Sequence, residues 1–210
     1  MRLYLGIPFY GGADAAFVSS LVKLRLALHM AGHEVECEMH TNCSNLPRVR
    51  NEIVARFMAG NYDRLLFLDN DMVFDAVDVF KLLESPHDIC ALDYRKKDDE
   101  IKFTGELTGN ERDGWLQAYS VGAGCFLLSR KAIEIMQQKY PETRYVTAEG
   151  MLSFSLFDHL NYDGRYWGED TTFCRRAIEA GLDISILKNA TTEHIGTKKY
   201  KGNLNDQAVA

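Results

Sequence analysis

Residues 65–74, LLFLDNDMVF, decide how the chain is read. Four apolar residues run into Asp69-Asn70-Asp71, after which Met72, Val73 and Phe74 turn apolar again. Carboxylates among apolar neighbours are costly to desolvate unless something positive sits beside them. A short apolar run that stops at polar residues reads as a buried β-strand. In an open α/β sheet, ligands bind beyond the carboxyl ends of the strands. Residues two apart in extended backbone point the same way, so Asp69 and Asp71 can face one point. Magnesium and manganese prefer oxygen ligands and commonly combine one or two carboxylates with substrate phosphates. The spacing alone leaves two readings open: a cation site, or a turn whose acids cap backbone amides.

Strand and helix patterns alternate around this stretch. Residues 2–8 read as a strand, ended by Pro8 and the Gly11-Gly12 pair. Phe17, Leu21, Leu24 and Leu28 recur at helical spacing within 14–31, and Gly32 supplies a stop. A second strand follows at 33–40, then a helix over 48–60 with Ile53, Val54, Phe57 and Met58 on one face. Residues 64–69 form the third strand, 76–84 a short helix and 88–94 a fourth strand. Further on, AYSVGAGCFLLSR (118–130) reads as one glycine-bearing strand, followed by helices at 131–139 and about 170–180 and short strands at 183–187. This alternation predicts an α/β fold with a mostly parallel central sheet flanked by helices.

Length and composition bound the function. The 210 residues fit a single domain over 1–210, whether alone or as part of a longer polypeptide, with a polar tail expected to fray over 203–210. A net charge of -6 argues against a protein that binds nucleic acid by neutralising phosphates. Any phosphate would be met by a local basic cluster or a metal ion. Five cysteines without a CxxC pair read as free thiols in a reducing compartment, so the expected location is cytoplasmic. The opening MRLYLGIPFYGG is too short in its apolar run for a secretory signal or a transmembrane segment.

Two further elements carry chemistry. In YWGEDTTFCRRAIEAG, Glu169 and Asp170 follow a glycine and open a helix. Acids in a first turn complement the helix dipole, and one of the pair serves that role. The other, most naturally Asp170, is a candidate general base over a pocket floored by Trp167. Arg176 either orients a carboxylate or phosphate, or lies on a solvated helix face. In EHIGTKKYKG, His194 precedes Lys198, Lys199 and Lys201. A neutral imidazole beside the two aspartates would complete a mixed nitrogen and oxygen site suited to manganese, and the lysines suit a diphosphate.

Taken in order, GIPFYGG, PRVRNEIVARF, LLFLDNDMVF, SVGAGCFLLSRKAI, YWGEDTTFCRRAIEAG and EHIGTKKY resemble glycosyltransferases of the GT-A fold. The resemblance is to the family-2-like branch and to small GT-A domains encoded by large viruses, and for a viral protein the location would be the host cytoplasm. It implies a Rossmann-like nucleotide-diphospho-sugar transferase fold and a metal-dependent hexosyltransferase. The enzyme would use Mn2+ or Mg2+, a nucleotide-sugar donor (UDP foremost) and a glycan or other hydroxyl acceptor. It implies that Pro8 and Tyr10 lie against the base, and that Arg50 and Asn51 approach the nucleotide sugar. Asp69 would bind near the ribose or reach the metal, with Asn70 beside it, and Asp71 and His194 would ligate the metal. Gly122, Ala123 and Gly124 would bring backbone close to the donor sugar, and Lys198 would meet the diphosphate. Asp170 matches the catalytic base of a Glu-Asp motif that includes Glu169, and Arg176 its trailing arginine. The continuation Phe9-Tyr10-Gly11-Gly12 departs from the family-2 pattern, and the short chain leaves little room for an acceptor subdomain.

Three other readings compete. LFLDND also resembles the first motif of haloacid-dehalogenase-type phosphatases, with Asp69 as nucleophile and Asp71 as acid/base. That motif ends the first strand of its domain, whereas here it ends the third. A sugar nucleotidyltransferase would need an N-terminal glycine-rich signature with a lysine, which GIPFYGGAD does not supply. A non-catalytic nucleotide-sugar-binding module would bind without turnover.

Overall fold

The computed structural model describes residues 1–196 and 198–203. In chain order the strands are β1 Arg2–Phe9, β2 Glu34–Thr41, β3 Arg64–Leu68, β4 Met72–Val73, β5 Ile89–Ala91, β6 Glu106–Arg112, β7 Trp115–Ser120, β8 Cys125–Ser129, β9 Arg144–Val146, β10 Leu152–Phe154, β11 Leu160–Tyr162, β12 Arg165–Trp167, β13 Ile184–Leu187, β14 Thr191–Ile195 and β15 Lys199–Asn203. The helices are α1 Ala15–Met30, α2 Leu46–Ala59, α3 Ala76–Glu84, α4 Arg130–Lys139 and α5 Glu169–Glu179. Of the tail expected to fray, only Asn203 is described, at the end of β15; residues 204–210 lie outside the described residues.

Side-chain alternation assigns the two faces of the central strands. Leu3, Leu5 and Ile7 of β1, Leu66 and Leu68 of β3, and Leu127 of β8 pack with Phe17, Leu24 and Leu28 of α1 and Val79 and Leu82 of α3. Tyr4, Leu65, Phe67, Phe126 and Leu128 point the other way, into Ile53 and Phe57 of α2, Ile133 and Met136 of α4, and Phe173 of α5. Each fully buried aliphatic or aromatic side chain stabilises the fold by about 1.5–3 kcal/mol before cavity effects. The helices start where polar side chains cap them: Asp14 accepts from Ala16 N, Asp75 from Val77 N and Ser129 from Ala132 N. Gly32, at φ +77°, takes the left-handed backbone that stops α1.

The central sheet has eight strands in the order β2-β1-β3-β8-β5-β13-β7-β6. β1 pairs in parallel with β2 and β3, and β13 with β5. β8 is antiparallel to both β3 and β5, and β7 to both β13 and β6. Only β7 and β8 therefore run against the rest, and the sheet is mostly parallel in direction. A second sheet, β15-β14-β4, and two hairpins, β9–β10 and β11–β12, decorate it.

The segment 118–130 expected as one strand is two, because the chain leaves the sheet at Val121–Gly124 between β7 and β8. The fourth strand is confined to Ile89–Ala91, since the following Asp93 turns away to bind the 104–105 backbone. The β6–β7 hairpin is polar and exposed along β6, so no apolar alternation announces it.

Candidate active site

The turn after β3 is built by backbone. Asp69 N donates to Gly124 O (2.9 Å), Met72 N donates to Asp69 O (3.1 Å), and Ile195 N donates to Asp71 O (2.8 Å). Asn70 Nδ2 ties the same turn to Gly12 O at 3.2 Å. β4 then pairs with β14 so that His194 stands opposite Met72, next to Asp71. Two segments far apart in sequence thus deliver a carboxylate and an imidazole to one place.

Asp69 and Asp71 do not share a partner. Arg50, on α2 and only 2% exposed, directs Nη2 at both Asp69 oxygens, at 3.0 and 3.1 Å, and Nη1 at Ala123 O at 3.4 Å. Its Nε faces Glu169 Oε1 at 3.6 Å. Burial would weaken the Arg50 charge, but Asp69 and Glu169 beside it reverse that effect. Burial pushes the Asp69 carboxyl up; Arg50 pulls it back, and the neighbouring Asp71 and Glu169 charges add to the rise.

Asp71 Oδ2 faces Lys97 Nζ at 2.5 Å and His194 Nε2 at 3.4 Å. Burial would raise its carboxyl, yet hydrogen bonds from His194 and Lys97 outweigh this and hold it below the usual range. His194 Nδ1 lies 2.9 Å from the Arg95 carbonyl, which can only accept, so Nδ1 carries the proton. Nε2 donates to Asp71 only while the ring holds both protons; once the Nε2 proton leaves, that nitrogen aims a lone pair at the space beside Asp71. That is the arrangement of a metal-ligating histidine oriented through its other nitrogen.

Among the described residues no three His, Cys, Asp or Glu side chains group closely enough to hold a metal by themselves. The donor set facing one point is therefore Asp71 with His194, while Asp69 is engaged by Arg50. A hard divalent ion bound through one carboxylate and an imidazole, with phosphate oxygens completing its shell, fits these groups.

The Glu-Asp pair opens α5 after Gly168, which makes no side-chain cap. Glu169 lies between Arg50 Nε at 3.6 Å and His159 Nε2 at 3.5 Å, and Arg50 Nε is a buried donor with no hydrogen-bond partner among the described residues. Asp170 Oδ1 accepts from Thr171 N at 2.7 Å, and among the described residues no donor reaches Oδ2. Burial, with Glu169 next, raises the Asp170 carboxyl. The two acids thus differ, Glu169 flanked by Arg50 and His159 and Asp170 with a free oxygen.

Gly122 and Gly124 have a second cause besides room for a ligand. A Cβ at Gly122 would meet Tyr94 Cζ at 2.8 Å and Thr104 Oγ1 at 2.9 Å, and one at Gly124 would meet Tyr94 Cε1 at 2.9 Å. The Tyr94 ring is buried across this glycine segment, edge-on to His194 with centroids 4.8 Å apart. Burial, then the charges of Asp69 and Asp170, hold its hydroxyl well above the usual tyrosine range.

Other expected site residues are occupied elsewhere. Asn51 spends both ends of its amide on Phe157, donating to its carbonyl at 2.7 Å and accepting from its N–H at 3.0 Å. Arg176 donates to the Ser155 and Leu156 carbonyls. Lys198 pairs with Asp99. Trp167 donates Nε1 to Tyr162 O at 3.2 Å and lines a hollow of about 400 Å³ with Tyr119, Arg175 and Ile178. Pro8 is opposite His40 in the β1–β2 register, and Tyr10 is 68% exposed just beyond β1. Sequence reasoning missed Lys97, Tyr94, His159 and Asp93. DICALDY held the one available signal, two polar groups closing an apolar run as DND does.

The chain is an α/β fold with acids beyond the ends of its parallel strands, where such folds bind ligands, and its structural neighbours have the GT-A, nucleotide-diphospho-sugar transferase, fold. Its structural likeness is to protein A197 from STIV, at 17% identity and a TM-score of 0.62 over 99% of this chain and 92% of that one. The catalytic domain of Drosophila β1,4-galactosyltransferase 7, in complex with xylobiose, matches at 16% identity and a TM-score of 0.49 over 90% of this chain. A variant of that enzyme in complex with manganese, UDP-Gal and xylobiose gives 16% and 0.47. The chain spans 65% of the length of either galactosyltransferase structure. No family model matches the sequence, and neither does any curated protein. Among the described residues no helix is long and apolar enough to cross a membrane.

Proposed function

We propose that the chain is a metal-dependent glycosyltransferase that moves a hexose-type sugar from a nucleoside diphosphate, UDP by the sequence resemblance, to a hydroxyl of a glycan or other acceptor. The observation that carries this reading is the link Asp69–Arg50–Glu169, which joins the DND turn to the start of α5. It ties the turn that carries Asp71, with His194 beside it, to the helix start that carries Asp170, whose Oδ2 meets no donor among the described residues.

A divalent ion held by Asp71 and His194 would supply Lewis acidity to the departing diphosphate. Asp170 accepts the proton of the acceptor hydroxyl as that oxygen attacks the anomeric carbon, and its raised pKa makes it a better base than an ordinary aspartate. Arg50 places its charge between Glu169 and Asp69 and offsets part of the burial that raises the Asp69 carboxyl. Tyr10, exposed beyond β1, is free to cover a nucleobase. The hollow lined by Trp167 and Tyr119 would give an acceptor an aromatic wall.

The test is incubation with a panel of nucleotide sugars, Mn2+ and hydroxyl acceptors, with and without EDTA. Metal-dependent release of a nucleoside diphosphate supports the transferase. Release of inorganic phosphate from phosphomonoesters, with an aspartyl phosphate at Asp69, would replace it with the phosphatase. Nucleotide-sugar binding without turnover across the panel would reduce the chain to a binding module.

A further inference from the structure

Resting on that donor-site reading, we infer that Lys97 is an internal counter-ion of the cation site, which competes with the divalent ion for Asp71 and pairs with the diphosphate once displaced. Lys97 Nζ sits 2.5 Å from the same Asp71 oxygen that faces His194 Nε2. An ammonium and a divalent ion cannot both occupy that oxygen without strong like-charge repulsion. One must leave when the other arrives, and the ammonium is the one on a flexible stem.

The surroundings permit that exchange. The Lys97 side chain is 39% exposed. Its stem passes Gly196, where a Cβ would stand 3.1 Å from Lys97 Cδ, so a bare glycine leaves the stem its path. The loop that carries it is anchored independently of the ammonium. Arg95 Nη2 donates to the carbonyls of Asp98, Asp99 and Glu100, and Lys96 N donates to Lys102 O. His194 Nδ1 bonds the Arg95 carbonyl of the same loop, so loop and imidazole keep their spacing when Lys97 moves. The released ammonium stays within a side chain's reach of the phosphates that complete the ion's shell, and a lysine is a point charge suited to phosphate.

The consequence is a coupling: without a diphosphate, Lys97 weakens ion binding; with one, it strengthens the ternary complex. The experiment titrates wild type, Lys97→Met and Asp71→Ala with Mn2+ alone, by electron paramagnetic resonance or calorimetry, and then with UDP at saturating Mn2+. Lys97→Met keeps the stem and removes the charge; circular dichroism confirms that it folds, and Lys97→Gln serves as a second variant. The expected result is that Lys97→Met binds Mn2+ alone roughly tenfold tighter than wild type and UDP more weakly. A wild type that takes no Mn2+ by itself, beside a Lys97→Met protein that does, supports the same conclusion.

Unchanged or weaker Mn2+ binding in Lys97→Met, with wild-type binding abolished by Asp71→Ala, overturns the counter-ion role and leaves the transferase reading standing. Neither protein binding Mn2+, with or without UDP, overturns both.

Discussion

Arg50 grips Asp69 through both carboxylate oxygens, at 3.0 and 3.1 Å, from a side chain only 2% exposed. The first acid of the DND turn is thereby neutralised by a buried arginine, whereas the second, Asp71, faces the partly exposed Lys97 and His194. The arginine also stands 3.6 Å from Glu169, so one buried cation faces two acids that are distant in sequence.

Removing that cation should be costly. Arg50→Met leaves Asp69 and Glu169 without their partner, and stability should fall by about 3 kcal/mol, the lower end for a broken buried pair because the Asp69 side chain is 23% exposed. Urea unfolding measures it. The double variant Arg50→Met/Asp69→Asn should recover part of the loss, and a double variant no better than the single one would show that the pair is not the source.

Asp71→Ala should leave the fold intact, since its side chain is 33% exposed, and should remove metal-dependent nucleotide-sugar binding. Calorimetry with Mn2+ and UDP reads this directly. Retention of the wild-type manganese dependence would move the ion elsewhere.

Asp170→Asn should bind donor with near-normal affinity and lose transfer by about 10²–10⁴-fold. The pH profile supplies an independent check. Burial and Glu169 raise the Asp170 pKa, so the base is lost as pH falls through a value above the ordinary aspartate range. The acid limb of kcat/KM should lie correspondingly high in the wild type and disappear in the variant. A variant that transfers at the wild-type rate would leave Asp170 a helix-terminal acid and nothing more.

Gly122→Ala should destabilise by about 1–3 kcal/mol, because its methyl would press on Tyr94 and on Thr104 Oγ1 at 2.9 Å. Thermal unfolding checks the size. Combining it with Tyr94→Phe should return part of the stability by removing the hydroxyl that the methyl meets first.

The first half of the chain was readable because its elements are periodic and buried on both faces. β1, α1 and β3 each carry an apolar pattern ended by the Gly11-Gly12 pair, Gly32 or the DND turn, and Asp75 caps the start of α3, so local chemistry and tertiary packing agree there. The β6–β7, β9–β10 and β11–β12 hairpins are short and largely exposed, so their strands bury too little to leave a pattern. DND, the Glu-Asp pair and His194 were visible as residue types out of place in their surroundings. Lys97 was not, since an exposed lysine in RKKDDE looks like any solvated charge until the 95–102 loop folds over Asp71. Asn51 and Arg176 looked like ligand contacts because side chains that staple backbone are the same residue types.

The reversed strand β8 has a consequence for how far apart the neighbouring strand ends stand. Standing between β3 and β5, it holds their ends two strand spacings apart, about 10 Å. Because β8 runs the other way, its beginning, and not its end, lies at that rim, and the approach to it is Gly122-Ala123-Gly124. That approach is bare backbone because the Tyr94 ring packs across it, so an aromatic ring fills the interval between the Asp69 and Asp93 strand ends. That interval is set by the hydrogen-bond ladder of the sheet and is insensitive to the loops above it.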